Sequence, residues 1–247
     1  MRVAVLGLGE AGGRIAADLV GAGCEVSGWD PVRQPDGIDN APDAASAVRE
    51  ANVVLSLNAA TVALEVANGV ADVLPADALY ADLNTASPTL KRDLAGALSV
   101  DFADVALVGV VPSTGLATAA LASGAGAERF AGLFRPLGMP VEIVGSEPGD
   151  AAGLKLIRSV FMKGMAAAAL ESLAAADAAG AVDWTLADIA SVIGAPLLKR
   201  LLEGSHAHAE RRAHEMEAAA AYLGELGVEP RVASAAAGWL KALRQPE

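Results

Sequence analysis

The chain has 247 residues, a formal net charge of −12 at pH 7, 53% hydrophobic residues and only 4% aromatic ones. That length supports one large or two modest domains with real cores, and the acidic balance argues against a surface that tracks nucleic-acid phosphates. Cys24 is the single cysteine, so no internal disulfide can form and a reducing, cytoplasmic setting is expected.

Met1-Arg2 runs directly into a strand pattern, with no apolar h-region of a signal peptide. Arg2–Leu6 reads as a strand, 12–21 as a helix and Glu25–Trp29 as a second strand. A short segment at 44–50 precedes a strand at 53–57 and a helix at 60–74. A further strand at 79–83 leads into a helix at 89–98. Segments at 104–108 and 116–124, a helix at 127–134 and a segment at 141–145 complete this half. Strands alternating with helices predict an α/β fold with a Rossmann-type, doubly wound parallel sheet.

The character changes at "GSEPGD", residues 145–150, which has turn composition. Beyond it the pattern is helical throughout, over Asp150–Ala179, 185–192, 196–203, 207–226 and 232–243. An all-α C-terminal domain is therefore expected, with the boundary near Pro148 and the domains at 1–147 and 148–247. The apolar stretch 160–176 contains Lys163 and Glu171, which makes it a buried or interface helix rather than a membrane span.

The opening stretch, MRVAVLGLGEAGGRIAADL, places Gly7, Gly9 and Gly12 between a strand and a helix. In a dinucleotide turn the first glycine permits the turn, the second admits the pyrophosphate and the third lets helix and strand pack closely. The cradle comprises Gly7, Leu8, Gly9, Glu10, Ala11 and Gly12, with helix N–H groups aimed at the phosphates. Asp30 ends the second strand, where its carboxylate can accept from the adenine ribose hydroxyls and repel a 2′-phosphate, which favours NAD over NADP. Arg33 lies three residues on and can instead pair with such a phosphate or lie against the adenine. Asn58 ends another strand and is placed near the nicotinamide ribose.

Asn84, Thr85 and Ser87 follow the strand at 79–83, beyond the carboxyl end where ligands bind in parallel sheets. Turn and cap roles would explain the same residues. Lys155 stands near the start of a largely apolar helix, where desolvation would lower its pKa and make it a better acid–base group. Lys163 lies about 80° further round that helix and 12 Å along it, and competes for the same role. Ser159 stands between them, where it can position a polar group of the substrate or bond back to the carbonyl four residues earlier. His206 and His208 are two residues apart, on different sides of a helix, and no metal site is expected.

Three motifs in order, "GLGEAGG" at 7–13, "DLNTASP" at 82–88 and "GLKLIRS" at 153–159, resemble those of the 6-phosphogluconate dehydrogenase and β-hydroxyacid dehydrogenase superfamily. "RSVFMKGMAAAALE" and "HAERRAHEMEAAAAYLGELGVEP" are similar to the branch with a DUF1932-type helical domain. The resemblance implies an NAD(P)-dependent oxidoreductase that interconverts a small carbonyl compound and its alcohol. Lys155 would be the catalytic lysine and the second motif would bind substrate. It also implies a homodimer formed by the helical domain, with Arg211 or its neighbour Arg212 placed to clamp an anionic substrate group, although an arginine paired with Glu215 one turn on would explain them too. Two departures fall where substrate would sit. Ser159 replaces the asparagine usual after the lysine, and "GVVPSTGLATAAL" at 109–121 replaces a glycine-rich loop. Imine reduction on the same plan, or a dinucleotide-binding protein without turnover, are the alternatives.

Overall fold

Strand β1 (Arg2–Leu6) sits inside an eight-stranded sheet because both of its faces are apolar. Val3 and Val5 enter the core on one face, Ala4 and Leu6 on the other, the alternation a pleated strand imposes. The computed structural model describes residues 1–243. Helix α1 (Glu10–Gly21) follows, then β2 (Glu25–Trp29), the two-residue β3 (Asp39–Asn40), α2 (Ala44–Val48), β4 (Val53–Ser56), α3 (Ala63–Val70), β5 (Leu79–Asp82) and α4 (Pro88–Ala97). The sheet is completed through β6 (Asp101–Leu107), α5 (Val111–Thr114), β7 (Ala120–Ser123), α6 (Ala127–Phe134) and β8 (Val141–Ile143).

The strand order is β3-β2-β1-β4-β5-β6-β7-β8. The chain moves outward from β1 to β3, then returns to the other side of β1 at β4, which creates a topological switch point beside the glycine turn. All pairings are parallel except β6 with β7, which is antiparallel, so the expected parallel sheet is corrected at that edge. The segment expected at 116–124 divides into a turn of 3-10 helix at Gly115–Ala117 and β7. Together with the four-residue α5 this connection holds too little helix to lie across the sheet as a crossover, and the chain folds back instead. Helix α1 starts at Glu10 rather than Gly12, and β3 is too short to show any periodicity.

Lys91 of α4 is fully buried between Asp82 of β5 and Asp104 of β6. Its Nζ donates to the Asp82 carboxylate and, at 2.8 Å, to the Asp82 carbonyl, and lies 3.1 Å from Asp104 Oδ1. Burial alone would lower the Lys91 pKa, but the two carboxylates and their hydrogen bonds hold it above the ordinary lysine value. Asp104 Oδ2 also accepts from Gly149 N and Ala152 N, both at 3.0 Å, while Ala151 N donates to Ser123 Oγ at 3.1 Å. These bonds satisfy the amide of Gly149, just before α7 (Asp150–Ala179), and those of Ala151 and Ala152 in its first turn, which have no partner within the helix.

Two compact units divide at this helix, one covering Met1–Gly153 and the other beginning at Leu154. The second unit contains the rest of α7, α8 (Val182–Ile193), α9 (Ala195–Ala207), α10 (Ala209–Glu225) and α11 (Arg231–Ala242). Small residues recur at helical spacing here. Ala213, Met216 and Ala219 of α10 and Ala233, Ala236, Ala237 and Leu240 of α11 form its core with Leu156 and Ala167 of α7. A Cβ at Gly164 would lie 2.7 Å from Val232 Cγ1, so that glycine permits a close approach of α7 and α11.

Helix α7 is long and apolar enough to cross a membrane, with a mean hydropathy of 1.2 over its best window. Its buried Ala166, Ala167, Ala169 and Leu170 and its ion pair from Lys163 to Glu215 of α10 make it a packed helix of this unit.

Candidate dinucleotide site and a helical polar cluster

The three glycines of the opening turn are needed for three different reasons. Gly7 has φ +102°, and a Cβ there would lie 2.6 Å from the carbonyl of Leu57. At Gly12 a Cβ would come within 1.8 Å of Gly7 O, so this position joins the helix to the strand turn. A Cβ at Gly9 would meet nothing within 4 Å, because the residue faces open space at the N-cap of α1. Backbone amides of the first turn, from Glu10 onward, lack partners within the helix and offer themselves to an anion there. Glu10 itself is exposed and Ala11 half-buried, so the turn offers backbone rather than side chains.

Asp30 ties this turn to the end of β2. Its Oδ2 accepts from Leu8 N at 2.8 Å, and its Oδ1 accepts from Val32 N and Arg33 N, both at 2.9 Å. Burial alone would raise its pKa, but these three N–H groups and the Arg33 charge outweigh burial and hold it below the ordinary carboxylate value. A carboxylate has about four lone-pair directions, so one remains for a ribose hydroxyl. Arg33 is exposed beside it. The open face at Gly9, the unpaired helix amides and the spare acceptor on Asp30 fit a dinucleotide.

On the opposite side of β1, Asn58 follows β4 and Asn84 follows β5. Asn84 Nδ2 donates to Asp82 Oδ2 at 2.7 Å and to Ser56 Oγ and Asn58 Oδ1, both at 3.0 Å. Thr85 is half-buried next to it. Ser87 is the N-cap of α4 and accepts from Leu90 N at 3.2 Å, so its hydroxyl has the structural role that the sequence offered as the alternative to substrate contact.

The helical unit gathers a second polar group. Ser159 Oγ donates to Glu215 Oε1, and Lys163 Nζ reaches both Glu215 Oε1 at 2.8 Å and Ser159 Oγ at 3.2 Å. Ser159 therefore bonds across to α10 rather than back to its own helix. Burial lowers the Lys163 pKa more than Glu215 raises it, with Arg212 and Arg158 adding to the lowering. Burial pulls Glu215 the other way, but Lys163, Lys155 and the Lys163 and Ser159 hydrogen bonds hold its pKa below the ordinary carboxylate value. Lys155, half-buried, is thus electrostatically coupled to the same carboxylate.

Glu215 was not singled out as a site residue from the sequence. The available signal was its place on the buried stripe of α10, between Arg212 and Ala219 at helical spacing. The alternative explanation of Arg211, a pair with Glu215, is corrected: Arg211 is exposed and the Glu215 carboxylate goes to Lys163 and Ser159. Its neighbour Arg212, about 100° round the helix, turns inward to Ser205 Oγ at 3.0 Å. Among the described residues no group of three or more His, Cys, Asp or Glu is placed to hold a metal ion.

A glycine cradle at the switch point, with an acid at the end of β2, defines a dinucleotide-binding protein of the dehydrogenase and reductase class. The chain belongs to the family of the NAD binding domain of 6-phosphogluconate dehydrogenase, whose model matches residues 2–132, and a domain of unknown function, DUF1932, matches residues 176–243. An uncharacterized 28.5 kDa protein of Methanothermus fervidus is 28% identical over 173 residues, covering 68% of this chain and 66% of that relative. A conserved protein of unknown function, described as structurally similar to 3-hydroxyacid dehydrogenases, is 28% identical with a TM-score of 0.75, covering 98% of this chain and 96% of its own. The fold is shared with 3-hydroxyisobutyrate dehydrogenase of Mycobacterium tuberculosis, solved with L-serine, at 22% identity, TM-score 0.79, and 98% and 93% coverage. It is also shared with an imine reductase variant from Myxococcus stipitatus, solved with NAD+, at 21% identity, TM-score 0.68, and 98% and 92% coverage.

Proposed function

We propose that this protein uses NAD(P), with NAD preferred, to interconvert a small carbonyl compound and its alcohol in the cytoplasm. The observation that carries the reading is the glycine turn locked to Asp30, open only above Gly9. The charged Asp30 supports NAD because it would repel a 2′-phosphate. The bound nicotinamide would supply or accept the hydride. Backbone amides from Gly9 to Gly12 and the Asp30 carboxylate hold the pyrophosphate and adenine ribose, with Leu8 N tying that carboxylate to the turn and Arg33 beside the adenine. Asn58, Asn84 and Thr85 orient the nicotinamide or substrate. Lys155 gives the proton to the forming alkoxide, Lys163 is the second choice for that role, and Ser159 positions a polar group of the substrate.

Gly9→Phe tests the dinucleotide site. The new side chain enters open space and leaves folding intact, but it occupies the position of the pyrophosphate. Fluorescence titration with NADH is expected to show binding in the parent and none in the variant, and equal affinities would refute the assignment.

Imine reduction is the second reading, favoured by the fold shared with an imine reductase. The same lysine would then protonate nitrogen rather than oxygen. A screen of ketones, short hydroxy acids and cyclic imines separates the two.

The reading includes a homodimer built by the helical unit. Helix α8 has no buried residue although it carries Trp184, 70% exposed, and Val192, 76% exposed. Leu154, Ile157 and Phe161 form an exposed apolar stripe on α7, and these exposed apolar side chains are what a second copy would cover. Such a dimer would also give the exposed Arg211 a route to an anionic substrate group held by the partner. Sedimentation velocity at micromolar concentration is expected to give a dimer, and a monomer contradicts this part.

A further inference from the structure

We propose that Lys91 and Asp82 are positioning residues that fix the polarity of two amides, so that Asn84 presents an acceptor and Asn58 a donor to the carboxamide of the nicotinamide ring. The inference rests on the dinucleotide reading above and extends it to an orienting contact.

Asn84 Nδ2 has two hydrogens and three acceptors within 3.0 Å, namely Asp82 Oδ2, Ser56 Oγ and Asn58 Oδ1. The Asp82 carboxylate is held in place by the fully buried Lys91 through its other oxygen. Turning the Asn84 amide over would set its oxygen against that carboxylate, so the nitrogen stays inward. With Nδ2 turned inward to these acceptors, Oδ1 occupies the other arm of the planar amide, away from them.

The same logic passes to the next amide. Asn58 Oδ1 accepts from Asn84, which leaves Asn58 Nδ2 with one weak bond to Ser56 Oγ at 3.3 Å and a second hydrogen to give. An acceptor beside a donor is the complement of a primary carboxamide. The sheet order puts this pair on the correct half of the ligand. Asp30 at the end of β2 takes the adenosine, and strands about 4.8 Å apart bring the nicotinamide half over the ends of β4 and β5.

Isothermal titration calorimetry with NAD+ and with 3-acetylpyridine adenine dinucleotide tests this, because the second compound has a methyl group where the carboxamide has its NH2. The parent is expected to bind the analogue roughly 3- to 10-fold more weakly, the effect of one lost hydrogen bond. Asn84→Ala should bring the two affinities within about twofold of each other. Asn58→Ala, which loses the bond to the carbonyl both compounds share, should weaken both and keep the ratio. Asp82→Asn should turn both amides over, so that in this background the ratio depends on Asn58 instead of Asn84. Equal affinities in the parent, or a ratio that depends on Asn58 there, overturn the proposal. Failure of NAD+ to bind the parent at all refutes the dinucleotide reading instead. The two asparagine variants decide the polarity on their own where Asp82→Asn does not fold.

Discussion

Lys155→Met is expected to lower turnover by roughly 10²- to 10⁴-fold, the usual consequence of losing a general acid or base, while dinucleotide affinity stays unchanged. Methionine keeps most of the side-chain volume, and Lys155 is only half-buried, so a packing defect does not imitate the effect. Lys163→Met is expected to behave differently. Lys163 holds the Glu215 carboxylate at 2.8 Å with both side chains largely buried, and its removal strands that charge inside the helical unit. The loss should therefore appear first as lowered thermal stability, with a smaller fall in turnover of the protein that remains folded. Steady-state kinetics and thermal melts of both variants separate these roles. Parent-like turnover in Lys155→Met with an inactive but folded Lys163→Met would reverse the assignment.

Lys91→Met is expected to be the most destabilising of these changes, costing about 3–5 kcal/mol, as breaking a buried ion pair does. The reason is asymmetry. With the ammonium in place, both carboxylates have a partner without water; once it is gone, Asp82 and Asp104 are left charged inside the sheet. Asp104 additionally holds Gly149 N and Ala152 N, so relaxation at that carboxylate would also loosen the first turn of α7. Adding Asp82→Asn and Asp104→Asn to Lys91→Met removes the stranded charges and should recover a substantial part of the loss. Urea unfolding followed by circular dichroism measures all three proteins, and a Lys91→Met variant as stable as the parent would contradict the account.

The glycine turn was legible because strand, turn and acid agree within 30 residues, and each level constrains the same backbone. Lys91 was not legible as a core residue. It adjoins Arg92 in "TLKRDLAGAL", and a helix lysine ordinarily carries its charge to water. Only its spacing on the stripe with Pro88 and Leu94 pointed inward. Glu215 was hidden in the same way, since its value depends on Lys163 and Ser159, more than 50 residues away in the chain. The reversal at β7 was illegible because strand direction depends on how the connection lies in space, and composition does not report it. The polarity of Asn58 and Asn84 likewise emerges only when three strand ends are brought together.

The lock between Asp30 and the glycine turn has a consequence for redesign. Because an acid at the end of β2 repels a 2′-phosphate, the direct route from NAD to NADP would be to remove it. Here that acid also accepts from Leu8, Val32 and Arg33, so an alanine would untie the loop that the new cofactor is meant to enter. On the proposed reading, cofactor preference and loop integrity share one carboxylate. A variant with altered preference is better sought by adding cations around Arg33 and leaving Asp30 untouched.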